Sequence, residues 1–147
     1  MKKLSPSMED YLEAAYRLSR ERGFARARDL SAGLGVSRPS VNSALKNLTG
    51  RGLVTHEHYG YVRLTAAGLA AGARIAELHS FLKDFLTSVL ALPEADADAD
   101  ACRIEHAIGP RAMKNLRLLA AFIRTSRKGA LAAEISGFIK KRSGAEK

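Results

Sequence analysis

Asp29-Leu-Ser-Ala-Gly-Leu-Gly-Val-Ser-Arg-Pro-Ser-Val-Asn-Ser-Ala-Leu-Lys-Asn-Leu48 is the stretch that decides the fold. A short helix from Ala27 to about Leu34 turns Leu30 and Leu34 inward, and Gly35 supplies the turn. Ser37 then caps a further helix, with Arg38 and Pro39 in its first turn, where proline is tolerated. Val41, Leu45 and Leu48 form a buried stripe on it, while Arg38, Ser40, Asn42, Ser43, Lys46 and Asn47 line the other faces. Helix, tight glycine turn, helix, with small and polar residues opening the second, is the helix-turn-helix pattern. In that pattern the second helix enters the major groove of DNA.

The flanks complete the pattern. Upstream, Ser7 is the expected cap of a helix over Met8–Arg22, with Met8, Leu12, Ala15 and Leu18 at helical spacing and Gly23 as its stop. Downstream, Gly52 breaks the helix. The β-prone runs Leu53-Val54-Thr55 and Tyr61-Val62-Arg63-Leu64 follow, joined by a turn at Tyr59-Gly60. That hairpin is the wing of a winged helix. The competing reading is a small α/β domain with an ordinary helical hairpin, and the complete order of elements favours the winged helix. The expected DNA contacts are Arg28, Arg38, Pro39, Ser40, Asn42, Ser43 and Lys46, with Tyr59, Tyr61 and Arg63 from the wing. Arg38 suits guanine and phosphate equally, so the base pairs read are left open.

A net charge of +9 and a pI near 10.1 favour a polyanionic partner. The charge is uneven. Between Thr65 and Pro110, Glu77, Asp84, Glu94, Asp96, Asp98, Asp100 and Glu105 outnumber Arg74, Lys83 and Arg103. One cysteine excludes an internal disulfide. No apolar run is long enough to cross a bilayer and no secretory leader is recognisable, so a cytoplasmic location is expected.

The second half is helical. A long helix from about Ala66 to Leu90 carries Leu69, Ile75, Leu78, Leu82, Phe85 and Leu86 on one face. After Pro93 an acidic run opens a helix ending at Gly109-Pro110. Another starts near Arg111 with Met113, Leu116, Leu119, Ala120 and Ile123 apolar, and a last runs from about Gly129 to Lys141, packed by Leu131, Ile135, Phe138 and Ile139. The helix before Gly109 contains Cys102-Arg-Ile-Glu105-His106. At i, i+3 and i+4 the thiol, carboxylate and imidazole point at one spot, a donor set suited to a divalent transition metal. These helices carry more apolar surface than a small domain buries alone, which suits a helical homodimer interface on two operator half-sites.

Ser7-Met8-Glu9-Asp10-Tyr11-Leu12-Glu13, the segment Gly23–Leu30, the wing over Leu48–Leu64, His79 and Glu105-His106 stand in an order that resembles the diphtheria toxin repressor and manganese transport regulator (DtxR/MntR) family, over about Pro6 to Pro110. The resemblance implies a mainly α protein: a winged helix-turn-helix DNA-binding domain over residues 1–65, then an all-helical metal-binding and dimerisation domain over 66–147. It implies Asp10, Glu13, His79, Cys102, Glu105 and His106 as metal ligands, Mn²⁺ or Fe²⁺ as the effector, double-stranded operator DNA as the partner, and a metal-activated transcriptional repressor of manganese or iron homeostasis. Other divalent transition metals are expected to bind in vitro.

The departures from the family are specific. Manganese-type members pair aspartate at the position of Asp10 with glutamate at that of Cys102, and iron-type members pair methionine with cysteine. This chain carries the mixed set. Lys83 and Asp98 fall where iron-type members help build a second site, and a protonated lysine is no ligand, which leaves Asp98 or Asp100 as substitutes. A chain of 147 residues is expected to follow the short manganese type, without the extra SH3-like domain of the iron type.

The rival readings are a metal-independent winged-helix regulator answering to a small ligand, and a switch based on oxidation of Cys102. An enzyme is not expected: the chain has no H-E-x-x-H, Gly-rich phosphate loop, nucleophile elbow or catalytic triad pattern.

Overall fold

The computed structural model describes residues 4–56, 60–126 and 130–143. It divides into two units, Met1–Glu77 and Leu78–Lys147.

The first unit opens with α1 (Pro6–Arg22). The cap falls two residues before the one expected at Ser7. Ser5 takes the extended cap position and Pro6 the first turn, where its fixed φ fits and its missing N–H has no partner to lose. Gly23, at φ 79°, stops the helix by donating its N–H to Ser19 O. Next come β1 (Ala25–Arg26), α2 (Ala27–Leu34) and α3 (Arg38–Gly50). Ser37 caps α3 as expected, its Oγ accepting from the Ser40 N–H at 3.3 Å.

β2 (Val54–His56) and β3 (Tyr61–Leu64) form the wing. β1 adds a third antiparallel strand, giving the order β1-β3-β2 with Ala25 opposite Val62 and Arg26 opposite Tyr61. Two residues carry no periodicity, so this strand was not expected; pairing to β3 is what makes it one. Leu12, Ala15, Leu30, Val41, Leu45, Leu48, Leu53, Val54 and Val62 are sealed in the core.

α4 (Ala66–Ser88) begins in this unit and runs on into the second. Thr65 caps it: its Oγ1 accepts from the Gly68 N–H at 3.0 Å and donates to Gly52 O at 2.7 Å. A Cβ on Gly68 would sit 1.8 Å from Leu53 O, and one on Gly72 2.7 Å from the Tyr16 Cβ. Glycine is therefore what lets α4 touch the winged helix. Because Gly68, Gly72 and Ile75 hold the inner face, Leu69, expected inward, is turned outward and exposed.

The second unit contains the rest of α4, then α5 (Glu94–Ala107), α6 (Pro110–Thr125) and α7 (Ala130–Ser143). Glu94 and Asp96 fall in the first turn of α5, at the positive end of the helix dipole. Leu82, Leu86, Ala97, Ala101 and Met113 make the core. Leu119, expected inward, is about half exposed, beside the still more exposed Leu118 and Phe122, because Met113, Ala120 and Ile123 already occupy the inner face of α6. α7 packs against α6. Phe138, expected to hold it down, is exposed, with the Arg142 guanidinium 5.7 Å over its ring. Among the described residues no helix is long and apolar enough to cross a membrane.

Candidate metal centre and nucleic-acid face

In the second unit, α5 turns Cys102, Glu105 and His106 toward one another, as the C-x-x-E-H spacing predicts: each offers a ligand atom within 4.8 Å of the others. His79 comes to the same carboxylate from α4. Its Nδ1 faces Glu105 Oε2 at 3.1 Å, and Glu105 Oε1 faces His106 Nε2 at 3.4 Å. His79 and Glu105 are buried, with 9% and 7% exposure. A carboxylate taken out of water needs a compensating cation or donors, and here two imidazoles flank it. Oxygen, nitrogen and sulfur lone pairs converge, and the donor set fits a divalent transition metal.

A further carboxylate orients His79. Its Nε2 lies 3.4 Å from Asp98 Oδ1. Both ring nitrogens thus face carboxylate oxygens, which accept, and a neutral imidazole has one N–H to give to either Glu105 or Asp98. Of the two acids weighed at this position, Asp98 is the one at His79; Asp100 pairs instead with Arg103.

Lys83 completes the group. Its Nζ lies 3.0 Å from Asp98 Oδ1 and 3.2 Å from Glu94 Oε1. The hydrogen bond from Lys83 holds the Asp98 carboxyl below its usual range, against desolvation and with a smaller contribution from His79. Asp98 first, then Glu94, raise the Lys83 ammonium above its own.

In the first unit, Asp10 and Glu13 stand one turn apart on α1. Asp10 is half-buried; Glu13 is buried, with Arg17 Nη1 3.9 Å from its Oε1.

The same unit carries the candidate nucleic-acid face. Arg38, Pro39, Ser40, Asn42, Ser43 and Lys46 are exposed along α3, while Val41, Ala44, Leu45 and Leu48 anchor its inner side. Arg63 is exposed on β3, and Arg28 is exposed with its Nε donating to Asp29 Oδ1. Tyr59 lies outside the described residues.

Sequence reasoning missed Arg26. Its guanidinium lies over the rings of Tyr61 at 4.7 Å and Phe24 at 5.0 Å, and it donates to Tyr61 Oη at 2.7 Å. Phe24 and Tyr61 meet edge to face at 5.1 Å. A cavity of about 500 Å³ opens beside them, lined by Arg26, Ala27, Arg28, Arg38, Asn42, Gly60 and Tyr61. Three guanidiniums around one cavity suit a phosphate. Only the strand pairing of Arg26 with Tyr61 reveals this, and a two-residue strand leaves no sequence signal.

The chain matches two family models, one after the other. Residues 3–62 match the N-terminal DNA-binding domain of the iron-dependent repressors, and residues 65–131 match their metal-binding and dimerisation domain. It is 36% identical over 104 residues to the HTH-type transcriptional regulator MntR of Shouchella clausii, covering 71% of this chain and 72% of that protein. Among solved structures, it resembles the T. acidophilum IdeR at 25% identity and TM-score 0.68, covering 83% of this chain and 55% of that one. A manganese-dependent transcriptional repressor in complex with manganese is similar at 26% identity and TM-score 0.69, with 78% and 53% covered. The chain thus spans about half the length of these two structural relatives.

Proposed function

The chain belongs to the iron-dependent repressor family, and from that premise we propose that it is a metal-activated, sequence-specific repressor of manganese or iron homeostasis that binds operator DNA as a homodimer. The observation that carries this reading is the Cys102, Glu105 and His106 cluster, with His79 on the same carboxylate, in a chain whose other unit is a winged helix.

The proposed ligands are Asp10 and Glu13 from α1, His79 from α4, and Cys102, Glu105 and His106 from α5. The family resemblance supports the first two, together with their one-turn spacing on α1. When bound, the ion would supply the positive charge that these carboxylates require. We set the domain boundary at residues 65 and 66, supported by the Thr65 cap that starts α4. Glu105 carries the largest role, because its buried carboxylate faces both imidazoles. Asp98 stands at the other ring nitrogen of His79. The oxygen donors suit Mn²⁺, and the Cys102 thiolate moves the preference toward Fe²⁺. The first turn of α3 reads base edges, and Arg28, Arg38, Tyr61 and Arg63 hold the backbone.

The switch is a coupling free energy of about 1–3 kcal/mol between ion and operator, or about 5–150-fold in affinity. Anaerobic binding to its own upstream DNA is expected to appear with Mn²⁺ or Fe²⁺ and to vanish with chelator. Glu105→Ala and His106→Ala are expected to abolish the metal effect. Equal binding in chelator would discard the metal switch and leave a metal-independent regulator.

A further inference from the structure

α4 and α5 face each other through two pairs of residues, each spaced by four: His79 with Lys83, and Glu94 with Asp98. Side chains at i and i+4 share one helix face, a spacing with which helices hold metal ions. Three of the four, an imidazole and two carboxylates, are metal-type donors. The fourth is a lysine, and its ammonium takes a central place: Nζ is 3.0 Å from Asp98 Oδ1 and 3.2 Å from Glu94 Oε1, while Asp98 Oδ1 lies 3.4 Å from His79 Nε2.

We propose that Lys83 is a built-in cation: its ammonium fills the place between Glu94, Asp98 and His79 that these donors would otherwise offer a second divalent ion, and so lowers by one the number of ions each chain holds. An ammonium has three donors and no lone pair, so it can substitute for an ion but cannot bind one. The two carboxylates keep it charged, which is the direction of its raised pKa. Lys83 is 29% exposed and Glu94 81% exposed. Ion pairs in such surroundings contribute little to stability. The consequence of the pairing is therefore occupancy, and with it the orientation of Asp98 toward His79. This inference shares His79 with the metal centre proposed above but stands on the Lys83 contacts alone.

The test is a count of bound ions per chain on the full-length protein, by Mn²⁺ and Co²⁺ titration calorimetry and by metal content after dialysis. Lys83→Glu completes an all-donor set and is expected to bind one ion more than the parent. Adding Asp98→Ala to that variant is expected to return the count to the parent's. An unchanged count in Lys83→Glu overturns the proposal, as does an extra ion that survives loss of Asp98. If Lys83→Glu fails to fold, Lys83→Gln takes its place: a weaker additional binding event is expected, and its absence overturns the proposal. A parent that binds no ion would sink the metal-switch reading, while the difference between parent and variant still tests Lys83.

Discussion

The two units seal their interiors to different degrees. Of the largest fully buried side chains among the described residues, Leu12, Leu30, Val41, Leu45, Leu48, Leu53, Val54 and Val62 belong to the first unit and Leu82 to the second. The second unit also buries Leu86, Val89, Met113 and Ile123, though less completely; it buries the polar groups His79 and Glu105, where the first buries Glu13, and it leaves Leu118, Leu119 and Phe122 exposed. A unit sealed by branched aliphatics is stabilised by its own sequence. One that buries a carboxylate between imidazoles and exposes neighbouring large apolar residues is built to be completed from outside. That contrast matches the two family models, one for DNA binding and the other for metal binding and dimerisation.

The strongest attempt to break the contrast is Leu45→Ala. Leu45 is fully buried on α3, and removing it should cost about 2–5 kcal/mol of stability through lost burial and the cavity left behind. Urea unfolding in chelator reads this directly, and a loss below about 1 kcal/mol would mean the first unit is not sealed as described. Gly68→Ala ranks next. The added methyl meets a backbone oxygen, Leu53 O, which cannot swing aside as a flexible side chain would. A cost of about 1–3 kcal/mol is expected, as for other overpacked sites. A neutral Gly68→Ala would show that α4 can lift from Leu53 without consequence.

These two positions also mark how far the sequence was legible. Leu45 was readable, because Val41, Leu45 and Leu48 repeat at helical spacing between a serine cap and a glycine stop. Cys102, Glu105 and His106 were readable for the same reason: one helix sets their spacing, so local geometry brings them together. Gly68 was not, because its role depends on a carbonyl fifteen residues earlier, and an alanine-rich helix offers no contrast around it. The outward turn of Leu69 was hidden with it. Asp98 and Lys83 carried their residue types in the sequence but not their pairing, which needs α4 and α5 side by side. Arg26 was lost because β1 exists only through its partner strand.

Arg26→Ala sharpens the contrast on the side of the DNA reader. If the arginine-lined cavity takes one backbone phosphate, the slope of log affinity against log salt should become shallower by about 0.9. Weaker binding with an unchanged slope would reassign Arg26 to holding Tyr61 in place rather than meeting DNA.

The smallest effect belongs to the second unit, in the pH dependence of its polar network measured with chelator present. Asp98 has its pKa lowered, mainly by Lys83, so its contribution to stability is present above the ordinary carboxylate range and is lost as pH falls through the lowered value. Lys83 has its pKa raised, by Asp98 and then Glu94, so its contribution is present below the ordinary lysine value and is lost as pH rises through the raised one. Between those limits the pair is constant, and neutral pH shows nothing. Lys83→Met should therefore flatten the alkaline limb of a melting-temperature profile and shallow the acid limb, where His79 still faces Asp98. Parent and variant curves that run parallel from acid to alkaline would mean that the ammonium adds nothing to the metal-free fold. The second unit would then hold its polar groups together through His79 and Glu105 alone.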